Sequence, residues 1–200
     1  SAPDAREGTW REGPGFPFFQ ALADQLGPLP LVAEDLGEVG DDVDALRTRV
    51  GLPGMRVLQF GFGGDAANPH HPANVGTDAI CYTGTHDTDT TAGWWEGTFG
   101  SDRDAARRLF ARRFGHPTEE LVDLCLGTRA AWAVLPVQDL LGLGSEARMN
   151  TPVTVEGNWR WRLLPHQLPA VAHHLRERLA HTGRLRPQAH RPPPSARRTP

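Results

Sequence analysis

The sequence predicts an α/β fold in which parallel strands alternate with helices, forming half of a (β/α)8 TIM-type barrel. Three observations carry this. Four short apolar runs, at residues 29–33, 55–60, 79–82 and 131–137, alternate with segments whose apolar residues recur at helical spacing. Polar residues with chemical potential stand directly after two of those runs, as reactive side chains do at the C-terminal ends of barrel strands. The chain has 200 residues, whereas a complete eight-stranded barrel takes about 250.

The elements follow in order. Phe16, Phe19, Leu22, Ala23 and Leu26 share a helical face, and Gly27-Pro28 stops that helix before the apolar run 29–33. Val43, Leu46 and Val50 repeat the helical period, with Asp41 or Asp42 able to cap the start and Gly51 and Pro53 closing the end. A strand over 55–60 is followed by a Gly-, Asn-, Pro- and His-rich loop to Asp78, then a strand over 79–82. Ser101 can cap a helix running to Phe114, with Asp104 in its capping-box region, and a further helix spans Thr118 to Leu126. After the strand at 131–137, residues 143–164 lack periodicity. Leu168, Val171, Ala172, Leu175 and Leu179 mark a closing helix. From residue 183 the chain is rich in Pro, Arg and Ser, a composition that buries too little to offset its ordering entropy. Residues 1–182 are therefore expected to form the folded part and 183–200 a disordered tail.

Composition excludes several classes. No run reaches the roughly 18–20 apolar residues of a membrane span, and no basic stretch followed by an apolar one opens the chain. The net charge is −3 and the 21 basic residues are all arginine, so neither nucleic acid nor membrane is an expected partner. Two cysteines, Cys81 and Cys125, are too few for a disulfide framework or a zinc site, which fits a reducing, cytoplasmic compartment. Ser1 is not an initiator methionine, and the chain is expected to be a fragment.

Glu34 directly follows the first apolar run, so its carboxyl is expected at the barrel mouth, where partial burial would favour the protonated form a general acid requires. The alternative is that Glu34 or Asp35 caps the next helix or pairs with an arginine. His86 and Asp87 follow the third run. A carboxylate there can accept hydrogen bonds from sugar hydroxyls that tighten as the ring distorts towards an oxocarbenium ion, with the histidine donating to another hydroxyl. The competing reading is a hydrogen-bonded turn over 85–91, and a metal site of Asp87, Asp89 and His86 lacks a further convergent cluster. Trp94 and Trp95, and later Trp159 and Trp161, can offer their faces to sugar rings, or can simply pack in a core. His70-His71 and His173-His174 are assigned no role.

Several stretches together resemble the amylomaltase or disproportionating-enzyme family, glycoside hydrolase family 77. They are Gly13-Pro14-Gly15 leading to Val32-Ala33-Glu34-Asp35-Leu36-Gly37, the segment 51–60 (Gly-Leu-Pro-Gly-Met-Arg-Val-Leu-Gln-Phe), 82–95 (Tyr-Thr-Gly-Thr-His-Asp-Thr-Asp-Thr-Thr-Ala-Gly-Trp-Trp), 143–152 (Leu-Gly-Ser-Glu-Ala-Arg-Met-Asn-Thr-Pro) and 157–162 (Gly-Asn-Trp-Arg-Trp-Arg). Their order and spacing fit over about residues 8–182. The resemblance implies the C-terminal part of an α-amylase-like barrel and 4-α-glucanotransferase activity on α-1,4-glucans, without cofactor or metal. It makes Glu34 the general acid/base, Asp87 a transition-state-stabilising carboxylate, and His86 and Asn150 substrate-binding residues, to which the indole face of Trp94 adds an expected sugar contact.

The family retains anomeric configuration through a carboxylate nucleophile on the preceding strand, in a segment like Arg-Ile-Asp-His. No such segment precedes Glu34; Asp4 lies in a loop and Asp24 in mid-helix. The chain is therefore expected to be inactive alone, and a non-catalytic remnant is the competing reading. A third alternative is a haloacid-dehalogenase-like phosphatase, because Asp87-Thr88-Asp89-Thr90-Thr91 has the Asp-x-Asp-x-Thr form. That class ordinarily uses a lysine to hold phosphate charge, and this sequence has none.

Overall fold

The structure, a computed structural model, describes residues 8–9, 11–37, 39–97, 101–110 and 116–185. Helix α1 (Gly15–Leu26) packs on α2 (Asp41–Val50), where the Arg49 guanidinium lies 3.8 Å from the centre of the Phe16 ring. Gly40, not Asp41 or Asp42, is the α2 N-cap, and it makes no side-chain cap bond. The three first-turn aspartates, Asp41, Asp42 and Asp44, act instead by placing negative charge at the positive end of the helix dipole. Gly51 ends α2 with φ 79°, a left-handed turn that costs glycine nothing and lets its amide reach Arg47 O at 3.0 Å.

Three strands, β1 (Gly54–Val57), β2 (Ala79–Tyr82) and β3 (Trp132–Val134), form one parallel sheet in that order. The predicted strand at 29–33 is reduced to a single parallel bridge, Ala33 to Gly54, with the Ala33 amide on Pro53 O at 3.0 Å. Pro28 and Pro30 have no amide hydrogens to donate, so a ladder cannot extend along that run. The predicted strand 55–60 stops at Val57, and Leu58–Phe60 turns as a short 3-10 helix that sends the Gln59 side chain towards the next loop. The run 131–137 likewise shortens to β3, because Pro136 interrupts it and α6 (Val137–Leu140) begins.

The remaining helices are α3 (Thr91–Gly97), α4 (Ser101–Phe110), α5 (Pro117–Gly127) and α7 (Leu168–His181). The last residues of the helix predicted to Phe114 lie outside the described residues, as does 186–200 of the predicted tail. Residues 183–185 of the expected tail are described. Arg184 donates to Leu126 O at 2.6 Å, Thr128 O at 2.9 Å and Ala130 O at 3.0 Å, tying the end of α7 to the end of α5.

Strand register separates the two faces of the sheet. Ala79 and Cys81 in β2, with Ala133 in β3, face α4 and α5 and join Leu58, Ala106, Phe110, Leu121 and Cys125 in the core. The Cys81 and Cys125 thiols are free and buried. The opposite face carries Met55, Ile80 and Trp132 at one level and Val57, Tyr82 and Val134 at the next. On that face burial fails towards β3, where Trp132 is 68% exposed and Val134 41%. Among the described residues no helix is long and apolar enough to cross a membrane.

Candidate active site

The two adjacent carboxylates after Ala33 part company. Asp35 turns inward, where its Oδ1 accepts the Met55 amide at 2.6 Å and its Oδ2 accepts Arg56 Nη1 at 2.9 Å, with Arg47 Nε at 3.4 Å. Burial pushes the Asp35 carboxyl up, but the hydrogen bonds from Arg56 and Met55 outweigh it and hold the group below its ordinary value. The arginine-pairing role weighed for this pair therefore belongs to Asp35. Glu34 points the other way, into a cleft, and is exposed rather than partly buried as expected. The phenol of Tyr82, at the end of β2, is raised by burial and then by the charge of Glu34, which places the two in one electrostatic neighbourhood.

The loop between β2 and α3 is clipped at both ends by one buried carboxylate. Asp139 of α6 accepts Thr83 Oγ1 at 2.5 Å and the Thr91 amide at 2.8 Å. Burial raises its carboxyl, and those hydrogen bonds offset only part of the rise. Inside the loop Thr88 Oγ1 accepts the Thr85 amide at 3.0 Å, and Gln59 Nε2 reaches Asp89 O at 2.9 Å. A Cβ on Gly84 would fall 2.6 Å from Thr88 Oγ1 and 2.7 Å from Gln59 Nε2, so only glycine lets the loop close this tightly. The hydrogen-bonded turn is thus real, and it coexists with outward-facing His86 and Asp87.

Asp87 Oδ1 accepts Asn150 Nδ2 at 2.6 Å and lies 3.3 Å from His86 Nε2. The Asn150 backbone N–H in turn donates to His86 O at 3.1 Å. The His86 ring stacks at 5.2 Å against Trp159, whose φ of 61° is a left-handed conformation unusual for a bulky residue. Asp89 is engaged differently: its Oδ2 accepts Ser145 Oγ at 2.7 Å and its Oδ1 accepts the Thr90 amide at 2.8 Å. Among the described residues no three His, Cys, Asp or Glu side chains converge to hold a metal.

The cleft measures about 340 Å³ and opens where β1, β2 and β3 finish, with Glu34, Tyr82, His86, Asp89, Pro136 and Arg148 among its walls. Glu34 and His86 therefore share it, and Asp87 and Asn150 lie beside it, linked through His86. Trp94 does not reach it. Its ring packs 5.5 Å from Phe62 against the core beneath α3, the packing role weighed for it from the sequence. Tyr82 and Arg148 were not singled out by sequence. Tyr82 could have been found from the strand alternation that turns it to the face of Ile80, whereas Arg148 sits in an aperiodic segment with no local signal.

Parallel strands with helices packed on one face, and ionisable side chains gathered where the strands finish, are features of the α/β class to which (β/α)-barrels belong. Residues 1–167 match the glycoside hydrolase 77 family, described as 4-alpha-glucanotransferase, and the chain belongs to that family. It is 42% identical over 183 residues to the chloroplastic/amyloplastic 4-alpha-glucanotransferase of Solanum tuberosum, covering 89% of this chain and 32% of that protein. It is 44% identical over 176 residues to the enzyme of the same name from Thermus thermophilus, covering 84% and 35%. Among solved structures it superposes with TM-score 0.84 and 32% identity on an amylomaltase from Streptococcus agalactiae in complex with acarbose, covering 91% of this chain and 37% of the other. The chain thus spans about a third of the length of these relatives. Membership of this family displaces the phosphatase alternative, and Asp89, held by Ser145 and Thr90, is a structural carboxylate.

Proposed function

We propose that this chain is the C-terminal part of a 4-α-glucanotransferase barrel, one that transfers α-1,4-glucan segments to the 4-hydroxyl of an acceptor glucan or glucose. The observation that carries the reading is the placing of Glu34 and His86 in one cleft at the strand ends, in a chain of this family. The bare inward face at Trp132 and Val134 supports the part-barrel reading, since side chains from further strands fill that space in a closed barrel. The acarbose held by the S. agalactiae amylomaltase supports an α-glucan as substrate.

In this reading Glu34 protonates the departing glycosidic oxygen and then takes the proton of the incoming 4-hydroxyl, while a carboxylate nucleophile carries the glucan between the two steps. Asp87 accepts hydrogen bonds from ring hydroxyls that strengthen as the sugar flattens, and His86 donates to a neighbouring hydroxyl. Asn150 orients Asp87. No metal or cofactor is required, because the energy of the α-1,4 bond is retained in the covalent intermediate. The cleft's only carboxylates among the described residues are Glu34 and Asp89, and Asp89 is engaged by Ser145, so the nucleophile is assigned to a further strand.

The test is disproportionation of maltotriose. The 200-residue chain alone is expected to yield neither glucose nor longer maltodextrins. Joined to an upstream segment with an Arg-Ile-Asp-His-like strand, it is expected to turn over, and Glu34→Gln should lower kcat by at least about 10²-fold. Wild-type turnover in that variant would remove Glu34 from the acid/base role.

A further inference from the structure

Asp87 and Asn150 belong to segments without regular structure, yet their side chains meet. The link between the segments is Arg148. Its Nη2 donates to Asp87 O at 2.7 Å and its Nε to Asn150 O at 2.8 Å, while Nη1 stands 3.9 Å from Asp89 Oδ2. One planar group thus faces two carbonyls and a carboxylate, a geometry that the single ammonium of lysine cannot reproduce. The far side of the fork is itself anchored, because Asp89 is fixed by Ser145 and Thr90 and its own carbonyl by Gln59.

The consequence falls on one carboxylate oxygen. Asn150 and His86 both approach Asp87 Oδ1, and no described residue hydrogen-bonds Oδ2. We propose that Arg148 is a positioning residue: by clamping the Asp87 loop to the Asn150 loop it keeps Oδ1 occupied by the Asn150 amide and leaves Oδ2 to receive a ligand hydroxyl. The clamp deepens the reading of the cleft as a glucan site and rests on it for the identity of the ligand. Arg148 touches no reacting atom in this scheme; it acts through Asp87 and Asn150.

The experiment measures hydrogen exchange of the Asn150 side-chain amide by NMR, with acarbose titrated as the probe ligand. Arg148→Lys keeps the charge and removes the fork. It should speed Asn150 Nδ2 exchange about ten-fold or more and weaken acarbose by a similar factor, as for the loss of a hydrogen bond to a charged group. The Cys81 backbone amide in β2 should exchange as before. Arg178→Lys, which alters an arginine bound to Glu119 and Asp123 on the outer helices, should leave the Asn150 amide unchanged. Unaltered Asn150 exchange in Arg148→Lys overturns the proposal, and so does a joint rise at Asn150 and Cys81, which would mean general loosening. If the wild-type chain, joined to the upstream segment that completes the barrel, does not bind acarbose while the Asn150 effect appears, the glucan reading fails and the clamp stands. Should Arg148→Lys not fold, the wild type decides: the Arg148 Nε proton and the Asn150 amide must open together with added denaturant, and separate opening sinks the clamp.

Discussion

The side-chain amide of Asn150 donates to Oδ1 of Asp87 at 2.6 Å, joining residues far apart in sequence beside the cleft. Asp87 is the carboxylate we propose to meet sugar hydroxyls, and this bond fixes its Oδ1. Asn150→Ala is therefore expected to act on binding more than on folding. Both side chains are only part-buried, so stability should fall by about 1 kcal/mol or less in urea titration, whereas acarbose affinity should fall about ten-fold. A large loss of stability with unchanged affinity would make the bond merely structural.

Asp35 carries the opposite expectation. Its carboxylate sits between Arg47 and Arg56 with 6% of the side chain exposed, so Asp35→Asn leaves the partly buried Arg56 guanidinium without its counter-charge, while Arg47 keeps Asp44 at 2.7 Å. Breaking such a pair costs about 3–5 kcal/mol. The pH dependence has a fixed sign. A carboxyl held below its ordinary value contributes stability that is fully present above that value and is lost as pH falls through the folded one. The gap in unfolding free energy between wild type and Asp35→Asn should accordingly narrow as pH falls from 5 towards 3, and a gap constant with pH would remove the ion pair as its source.

His70 was given no role from the sequence, but its Nδ1 accepts the Val57 amide at 3.1 Å where β1 ends. Burial, and then the charge of Arg56, hold the imidazole below its usual value, with Asp35 opposing in part. The unfolded chain therefore takes up this proton first. The stability from neutral His70 is complete above the unfolded value of about 6.5 and declines as pH drops below it. His70→Gln, whose amide oxygen can still accept from Val57, should flatten the fall in thermal midpoint between pH 7 and 5. An identical fall in wild type and variant would assign it to other groups.

Much of this site was legible because strand ends announce themselves. Glu34 after Ala33, and His86-Asp87 after Tyr82, are polar residues closing apolar runs, and the fold brings Glu34 and His86 to one cleft with Asp87 beside it. What the sequence hid was partnership at a distance. That Asp35, not Glu34, would take the arginines depends on which side chain leaves the Ala33 bridge towards Arg56, and that Asp139 would clip Thr83 and Thr91 depends on a packing no local period encodes. The strand at 29–33 failed for a reason present in the sequence, since Pro28 and Pro30 forbid a continuous ladder. For Trp94 the sequence favoured a core residue over a sugar platform, and its ring lies 5.5 Å from that of Phe62.

The bare inward face of the sheet has a practical consequence. Trp132 is the most exposed of the described tryptophans, while Trp94 and Trp95 pack against the core. An indole in water emits at longer wavelength than one enclosed by hydrocarbon. On the proposed part-barrel reading, a polypeptide that completes the barrel covers Trp132, so closure would register as a shift of intrinsic fluorescence to the blue. The chain thus carries an unlabelled gauge of its own assembly.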